Sequence, residues 1–535
     1  MARPDETGSG EMLSSSAMGA TFLIIIQLAS RIFTFASNQL ILRALSPIVL
    51  GIAAQLELYQ VSILYFSRES IRMAIQRQPE ITISASPSHA KGSGKRETDL
   101  VNIQSLASQS VVNISYLGLV LGLPICLMLT TLYQQLVPQE TSQAPFFYPS
   151  LIMTGIASLL EISVEPFFAV VQQRMLYEKR AAVEVPAAFL KSLTTCSVFL
   201  YAARANYDVG VLPFALGHLS YSLTLICGYS LAFLKTTSEE HFTFLLRRIQ
   251  SSDSSNYFMG RFSRRLTSLA ASVFFQSLVK HLLTQGDSMI LAALSGLEDQ
   301  GIYSLASNYG GLIARILFQP LEESSRNLFS TLLSPYDTGN PRSSHIHTAK
   351  KHFVSILRAY QLLSILIIPL GPVMVPQLLH ILGGRQWSSA KVGDLLSLYC
   401  CYIPFLAFNG ITEAFVSSAA SPREIRKQTA WMGAFSACYA LAAYLFLEIG
   451  QLGAYGLVLA NMVNMTVRTL WSFIFTRSYL RRQGNGLRLQ DIAIQPASYI
   501  LWIITTVVML NQGLLKPGLG LIRASVISGA YALLV

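Results

Sequence analysis

Charge is what this sequence has least of. Asp, Glu, Lys and Arg make up 13% of its 535 residues, against roughly 25% in ordinary soluble domains. A water-facing surface cannot be built from so few charges, which excludes a soluble globular enzyme. Hydrophobic residues make up 52% and the mean hydropathy is +0.46, the balance of a polytopic membrane protein. The formal net charge is +11, but the basic residues are scattered between apolar runs and form no patch, which excludes a nucleic-acid surface. Six cysteines, Cys126, Cys196, Cys227, Cys400, Cys401 and Cys438, all sit inside apolar runs and form no CxxC pair. They read as buried small hydrophobes, neither zinc ligands nor a disulfide framework.

Catalytic motifs are missing as well. The nearest approach to a phosphate-cradling GxxxxGK[ST] loop is Gly94-Lys95, with His89 in place of the first glycine and Arg96 after the lysine. No GxSxG or HExxH occurs. The acidic pair Glu298-Asp299 falls in a turn of a few residues, where helix capping is the natural role. The sequons at Asn113 and Asn464 lie inside apolar runs, out of reach of glycosylation. No enzyme, cofactor or metal site is expected. Three histidines, His345, His347 and, just past its end, His352, go with a polar segment from Tyr336 to Lys351 that reads as a solvated loop.

What is present is a series of long apolar runs. A helix needs about 20 residues to cross the hydrocarbon, and fourteen runs qualify: 17–43, 47–71, 106–133, 147–171, 185–203, 211–234, 266–294, 302–333, 353–382, 395–417, 429–448, 453–476, 491–513 and 519–535. The residues before the first run lack a basic region and a small-residue cleavage site, so that run reads as a retained span. Arg326 and Arg358 are counted with the even segments and Arg43 and Arg523 with the odd ones, though these four fall inside flanking spans. The segments after even-numbered spans then carry 26 Lys and Arg, and those after odd-numbered spans 6. The positive-inside rule then predicts that both termini are cytoplasmic. Pro79 to Glu97 reads as a flexible linker, and Glu239 to Arg265 as the junction between two halves. The expected organisation is an N-lobe of helices 1–6 (1–245), a C-lobe of helices 7–12 (246–480) and helices 13–14 (481–535).

The halves repeat. At an offset of 249, Gln27 meets Gln276, Arg31 meets Lys280 and Asn38 meets Asp287. The run from Ile41 to Ser46 meets that from Ile290 to Ser295, with five of six residues identical. Slightly further on, Arg68-Glu69-Ser70-Ile71-Arg72 resembles Glu322-Glu323-Ser324-Ser325-Arg326. An even number of intervening spans makes this a parallel repeat, with a pseudo-twofold axis along the membrane normal and a cavity expected between the lobes.

Polar residues inside the spans fall on helical faces. Gln27, Arg31, Thr34 and Asn38 stripe the first span; Glu57, Gln60 and Arg68 the second; Thr154, Ser158, Glu161 and Glu165 the fourth. Gln276, Lys280, Thr284 and Asp287 stripe the seventh, and Asn308, Arg315, Gln319, Glu322 and Arg326 the eighth. Lys191, His281, His380, Glu413 and Arg468 stand alone. A charge at the bilayer centre costs about 2.5–3.5 kcal/mol on insertion scales, so these groups face a cavity or pair with one another. Internal pairing is the expected fate of the carboxylates, for example Arg31 with the fourth span and Arg315 with Glu322. The matched cations Arg31 and Lys280, followed by Arg68 and Arg315, suit an anionic, phosphate-bearing substrate. Arg43, Arg72, Arg326 and Arg468, near helix ends, are expected to snorkel to the interface.

Four stretches resemble the Rft family of eukaryotic oligosaccharide translocation proteins: Asn38-Gln-Leu-Ile-Leu-Arg43, Phe66-Ser-Arg-Glu-Ser-Ile-Arg72, Leu283-Thr-Gln-Gly-Asp-Ser-Met289 and Arg315-Ile-Leu-Phe-Gln-Pro-Leu-Glu-Glu-Ser324. The resemblance covers nearly the whole chain. It implies a member of the multidrug/oligosaccharidyl-lipid/polysaccharide exporter superfamily in the endoplasmic reticulum membrane. The implied role is to bring the dolichyl-diphosphate-linked, mannose-containing oligosaccharide to the lumenal leaflet for N-glycosylation, alongside other proteins of that pathway. By analogy with flippases of cell-wall lipid intermediates, Arg31, Arg68, Lys280 and Arg315 are the implied diphosphate contacts. Two other classes stay open. One is a lipid-binding or scaffold protein that supports the pathway without transport; the other is an ion-coupled small-molecule exporter using Asp287, Glu161 or Glu165.

Overall fold

The computed structural model describes residues 37, 39–43, 45–76, 93–174, 176–233, 242–249, 257–333, 343–383, 387 and 389–511. Among these the protein is helical apart from one two-stranded hairpin, β1 (Tyr257–Phe258) antiparallel to β2 (Phe262–Ser263). In chain order the helices are α1 (Pro47–Gln76), α2 (Ser93–Leu136), α3 (Gln139–Ser142), α4 (Phe147–Ser163), α5 (Glu165–Gln173), α6 (Tyr177–Ala205), α7 (Leu212–Phe233) and α8 (Arg264–Leu294). They continue with α9 (Leu297–Ile313), α10 (Gln319–Leu333), α11 (Ser343–Gly383), α12 (Ala390–Ala419), α13 (Pro422–Tyr444), α14 (Gly453–Arg482), α15 (Leu489–Ile492) and α16 (Pro496–Asn511).

Seven of these helices are long and apolar enough to cross a membrane, or eight if the bent pair α4–α5 is one span. The expected runs from 47–71 through 491–513 fall on helices. The run 519–535 and most of 17–43 lie outside the described residues, so the count of fourteen extends beyond them. Several expected spans are interrupted. The α4–α5 pair bends by 40° at Val164, where Pro166 lacks the N–H that would continue the ladder. The run 302–333 is broken by a π turn at Ala314–Phe318, just ahead of Pro320. A second π turn, Leu445–Ile449, ends the run 429–448.

Two loop expectations change. The segment Pro79 to Glu97 gives way to helix at Ser93, because Lys95, Arg96 and Glu97 are good helix formers leading into the apolar run. Likewise α11 begins at Ser343, so His345, His347 and His352 lie on a helix; His352 Nε2 is 3.2 Å from the Ser325 hydroxyl.

The chain forms two compact units, Ile52–Gly286 with the residues before Leu45, and Asp287–Val535 with Leu45–Gly51. This division runs through α8, whereas the lobe junction is expected in the polar segment Glu239 to Arg265. In the first unit, Ile71, Ala74, Ile75, Val111, Ile114 and Ala169 enclose Leu266 and Ala270 of α8. A second cluster joins Val171, Val183, Ala187, Leu225, Tyr229 and Phe233. In the second unit, Phe329, Phe353, Phe415 and Tyr479 form an edge-on aromatic stack. The same unit holds a close crossing of α1 and α9. A Cβ on Gly51 would strike the Leu297 carbonyl, and one on Gly301 the Pro47 carbonyl.

Outward faces are apolar. Val120, Leu123 and Leu127 on α2, Leu470 and Ile474 on α14, and Ile500, Ile503 and Ile504 on α16 are all exposed. Rows of exposed Leu and Ile at helical spacing suit hydrocarbon and are disfavoured in water. All six cysteines are free, and Cys227 is exposed on α7, where a buried position was expected. The reason is the outward turn of that face.

Candidate functional site

The charged interior of the first unit is built from α1, α4 and α5. Arg68 and Arg72 stand one helical turn apart on α1, and Glu161 and Glu165 stand the same distance apart across the α4–α5 bend. Arg68 Nη2 donates to Glu161 at 2.8 Å and its Nη1 to Glu165 at 3.1 Å. Arg72 donates to both Glu165 oxygens, from Nε at 2.9 Å and Nη2 at 2.5 Å, and its guanidinium lies 3.8 Å over the Phe168 ring. Glu161 and Glu165 are buried and both arginines nearly so. Low dielectric strengthens each bond and raises the cost of leaving any member unpaired. Pro166 opens the ladder at the bend, and the arginines clamp the two sides of it to α1.

This arrangement revises two expectations. Arg72 does not snorkel; its stem runs inward because Glu165 lies within reach. Arg68, expected as a diphosphate contact, has two nitrogens committed to carboxylates. The pairing expected between the fourth span and Arg31 is made with Arg68 and Arg72 among the described residues. Arg31 and Gln27 lie outside those residues, as does Asn38. Of Gln276, Lys280 and Arg315 only the backbone is described.

Further along α1, Glu57 is exposed, and Glu69 is half-buried. Around them, Tyr133 donates to Gln55 at 2.5 Å, and the Tyr59 and Thr130 hydroxyls are 2.6 Å apart. His281 of α8 lies 3.0 Å from the Ser62 hydroxyl and packs on Tyr65 and Phe66.

The second unit has its own polar interior. Arg468 of α14 grips Glu413 of α12 with Nε at 2.9 Å and Nη2 at 2.8 and 3.1 Å. It too was expected at the interface, and the forked pair explains why it is not. Glu322 of α10 sits against Gly410, where a Cβ would meet the carboxylate. The neighbouring Glu323 is exposed and accepts from Gln319 at 3.1 Å. Asp287 accepts from the Ser288 N–H at 2.8 Å and the Tyr303 hydroxyl at 3.3 Å; that hydroxyl accepts from Asn461 at 3.0 Å. Asp299 pairs with Lys391 at 2.7 Å and, with Glu298, lies in the first turn of α9, where acidic charge meets the positive helix end. The cap itself is Gly296, and no side chain bonds it, so the expected capping by the pair is not made.

Sequence reasoning missed a clamp on the segment 242–249 of the first unit. Gln109 and Asn113 of α2 are buried, and their amides hold the segment 242–249. Asn113 donates to the carbonyls of Arg247 and Arg261 at 2.7 and 2.8 Å and accepts from the Arg247 N–H at 3.2 Å. Gln109 donates to the Leu245 carbonyl and accepts from the Thr243 N–H, both at 3.0 Å. The four-residue spacing of two amides inside an apolar run was the available signal. No group of three or more His, Cys, Asp or Glu able to hold a metal occurs among the described residues.

Comparison with known proteins follows the same lines. Residues 15–533 match the profile of the Rft protein family. The chain is 34% identical over 502 residues to "Man(5)GlcNAc(2)-PP-dolichol translocation protein RFT1" of Saccharomyces cerevisiae, covering 88% of this chain and 84% of that one. The protein of the same name from Xenopus tropicalis is 27% identical over 490 residues, covering 89% and 84%. Among solved structures, the chain is similar to the lipid II flippase MurJ in its inward closed conformation. The TM-score is 0.58 at 12% identity, over 96% of this chain and 97% of that one. An inward-facing multidrug resistance MATE family transporter of the MOP superfamily gives 0.57 at 11% identity, over 84% and 95%. At such identities these structures bear on the fold alone.

Proposed function

Because this chain belongs to the Rft protein family, we propose that it carries dolichyl-diphosphate-linked Man(5)GlcNAc(2) across the endoplasmic reticulum membrane for protein N-glycosylation. The observation that carries this reading is the near full-length identity to the yeast translocation protein. The polytopic helical fold supports it, since a diphosphate oligosaccharide cannot cross hydrocarbon unaided. The glycan and diphosphate travel along polar interior stripes while the dolichol chain stays in lipid. The loop charge bias supports cytoplasmic termini. No catalytic step is part of the reading.

The cations divide by task. Arg68 and Arg72 brace α1 against the α4–α5 bend, and Arg468 braces α12 against α14. Arg31, Lys280 and Arg315 are proposed to meet the diphosphate, on the strength of the repeat that keeps Arg31 and Lys280 at matched positions. A second reading is a lipid-binding partner that supports the pathway without moving lipid. It is favoured by the saturation of Arg68 and Arg72 by carboxylates.

Replacing the yeast counterpart with this chain tests the pathway role. Normal glycosylation of a secreted reporter is expected from the wild type. An Arg31→Ala/Lys280→Ala double variant at unchanged protein level should leave the reporter underglycosylated. Full glycosylation in that double variant contradicts the assignment of those cations.

A further inference from the structure

The ion pairs described above leave out Lys191, a cation of the first unit. Lys191 stands midway along α6, on a ridge of residues four apart that also holds Ala187, Thr195 and Phe199, all buried. The backbone is tightly packed there, since a Cβ on Gly217 of α7 would meet the Thr195 hydroxyl and the Lys191 carbonyl. The Lys191 side chain is half-buried, and its ammonium makes no hydrogen bond or ion pair among the described residues.

Two carboxylates and an imidazole act electrostatically with Lys191. The carboxylates acting on it are Glu57 of α1 and Glu161 of α4. Glu161 is already bonded to Arg68 at 2.8 Å, and Glu57 is exposed and makes no hydrogen bond of its own. On α7 it acts on His218, which is 8% exposed and has no partner for Nδ1. Nearby hydroxyls are engaged elsewhere: Thr195 donates to the Lys191 carbonyl at 2.9 Å, and Thr194 and Ser220 lie 3.1 Å apart. An ammonium with no hydrogen bond on α6 and a buried imidazole nitrogen with no partner on α7 thus belong to two helices packed closely at Gly217, the residue before His218. Buried polar groups are ordinarily hydrogen-bonded, and a charge at mid-span marks a ligand path.

We propose that Lys191 is a phosphate-binding residue of the first unit, taking a phosphoryl group of the lipid-linked oligosaccharide diphosphate with His218 Nδ1 alongside. The proposal rests on the translocation reading and adds a contact that neither the repeat nor the arginines supply. Lysine suits the task as a compact point charge that can grip and release a moving phosphate, whereas a forked arginine pair is built to hold.

The test uses the full chain in phosphatidylcholine nanodiscs and a fluorescent farnesyl-diphosphate chitobiose. Lys191→Gln should weaken binding by about tenfold and Lys191→Arg by about threefold or less. A Lys191→Gln protein that melts like wild type and binds equally well overturns the proposal. If that variant does not fold, amine acylation of wild-type Lys191, read by mass spectrometry, decides. The probe should slow labelling by about tenfold, and unchanged labelling at saturating probe overturns the proposal. Slowing by inorganic pyrophosphate as well supports recognition of the diphosphate itself, while slowing by phosphatidylserine alone overturns it. Wild-type protein that binds no diphosphate probe at all instead contradicts the translocation reading.

Discussion

Glu165 holds more than any other carboxylate in the first unit, because both Arg68 and Arg72 donate to it while Glu161 serves Arg68 alone. Removing one member of a buried pair leaves an uncompensated charge and costs about 3–5 kcal/mol. Glu165→Ala should therefore lower the melting temperature in detergent more than Glu161→Ala does. Equal losses would show that Arg72 contributes nothing. The carboxylates were legible as an internal stripe from their four-residue spacing. Their partners were not, because Arg72 lies near the end of its apolar run, where sequence reasoning sends an arginine outward. What turns it inward is Glu165, 93 residues further along the chain, beside the bend at Val164 and Pro166. Arg468 follows the same logic, since Glu413 approaches only once α12 and α14 pack.

Among the elements, the long apolar runs declared themselves through composition, and every such run within the described residues lies on a helix. Their interruptions did not, because bends and π turns depend on where freed backbone groups find partners. Gly301 was equally silent in the sequence, yet its missing Cβ is what lets α9 approach the Pro47 carbonyl of α1. Gly301→Leu should sharply reduce the monodisperse fraction on size exclusion; an unchanged profile would mean that the crossing can open freely. A smaller attachment joins α15 to α11, where Lys350 donates to Asp491 at 2.7 Å and to the Gly486 carbonyl at 2.8 Å. That bond, with the Arg488 N–H, holds the Asp491 carboxyl below its usual range. A carboxyl with a lowered folded pKa stabilises above its ordinary value of about 3.9 and loses that contribution as pH falls through the folded value. The effect is small, because the pair is partly exposed and screened. Protection of the amides of residues 486–492, taken against their intrinsic exchange rates at each pH, should fall on acidification in the wild type, whereas in Lys350→Ala it should be low already at neutral pH. Identical pH profiles in the two proteins would rule out the link.

At the scale of the whole molecule, scarce charge and long apolar runs sufficed to anticipate a polytopic helical fold, and the family to which the chain belongs carries the proposed substrate class. The junction clamp formed by Gln109 and Asn113 shows the limit of that reading. The polar segment Glu239 to Arg265 reads in the sequence only as a junction between halves, and its backbone anchors appear only once two buried amides meet it. Translocation itself is tested most directly by reconstitution. Purified protein would be placed in liposomes with dolichyl-diphosphate Man(5)GlcNAc(2), and the exposure of inner-leaflet glycan to an outside lectin followed over time. The account predicts exposure faster than in protein-free vesicles, and a return to the protein-free rate in the Arg31→Ala/Lys280→Ala variant. Folded, lipid-binding protein that leaves the rate at the protein-free value would contradict it and leave the pathway-support reading in its place.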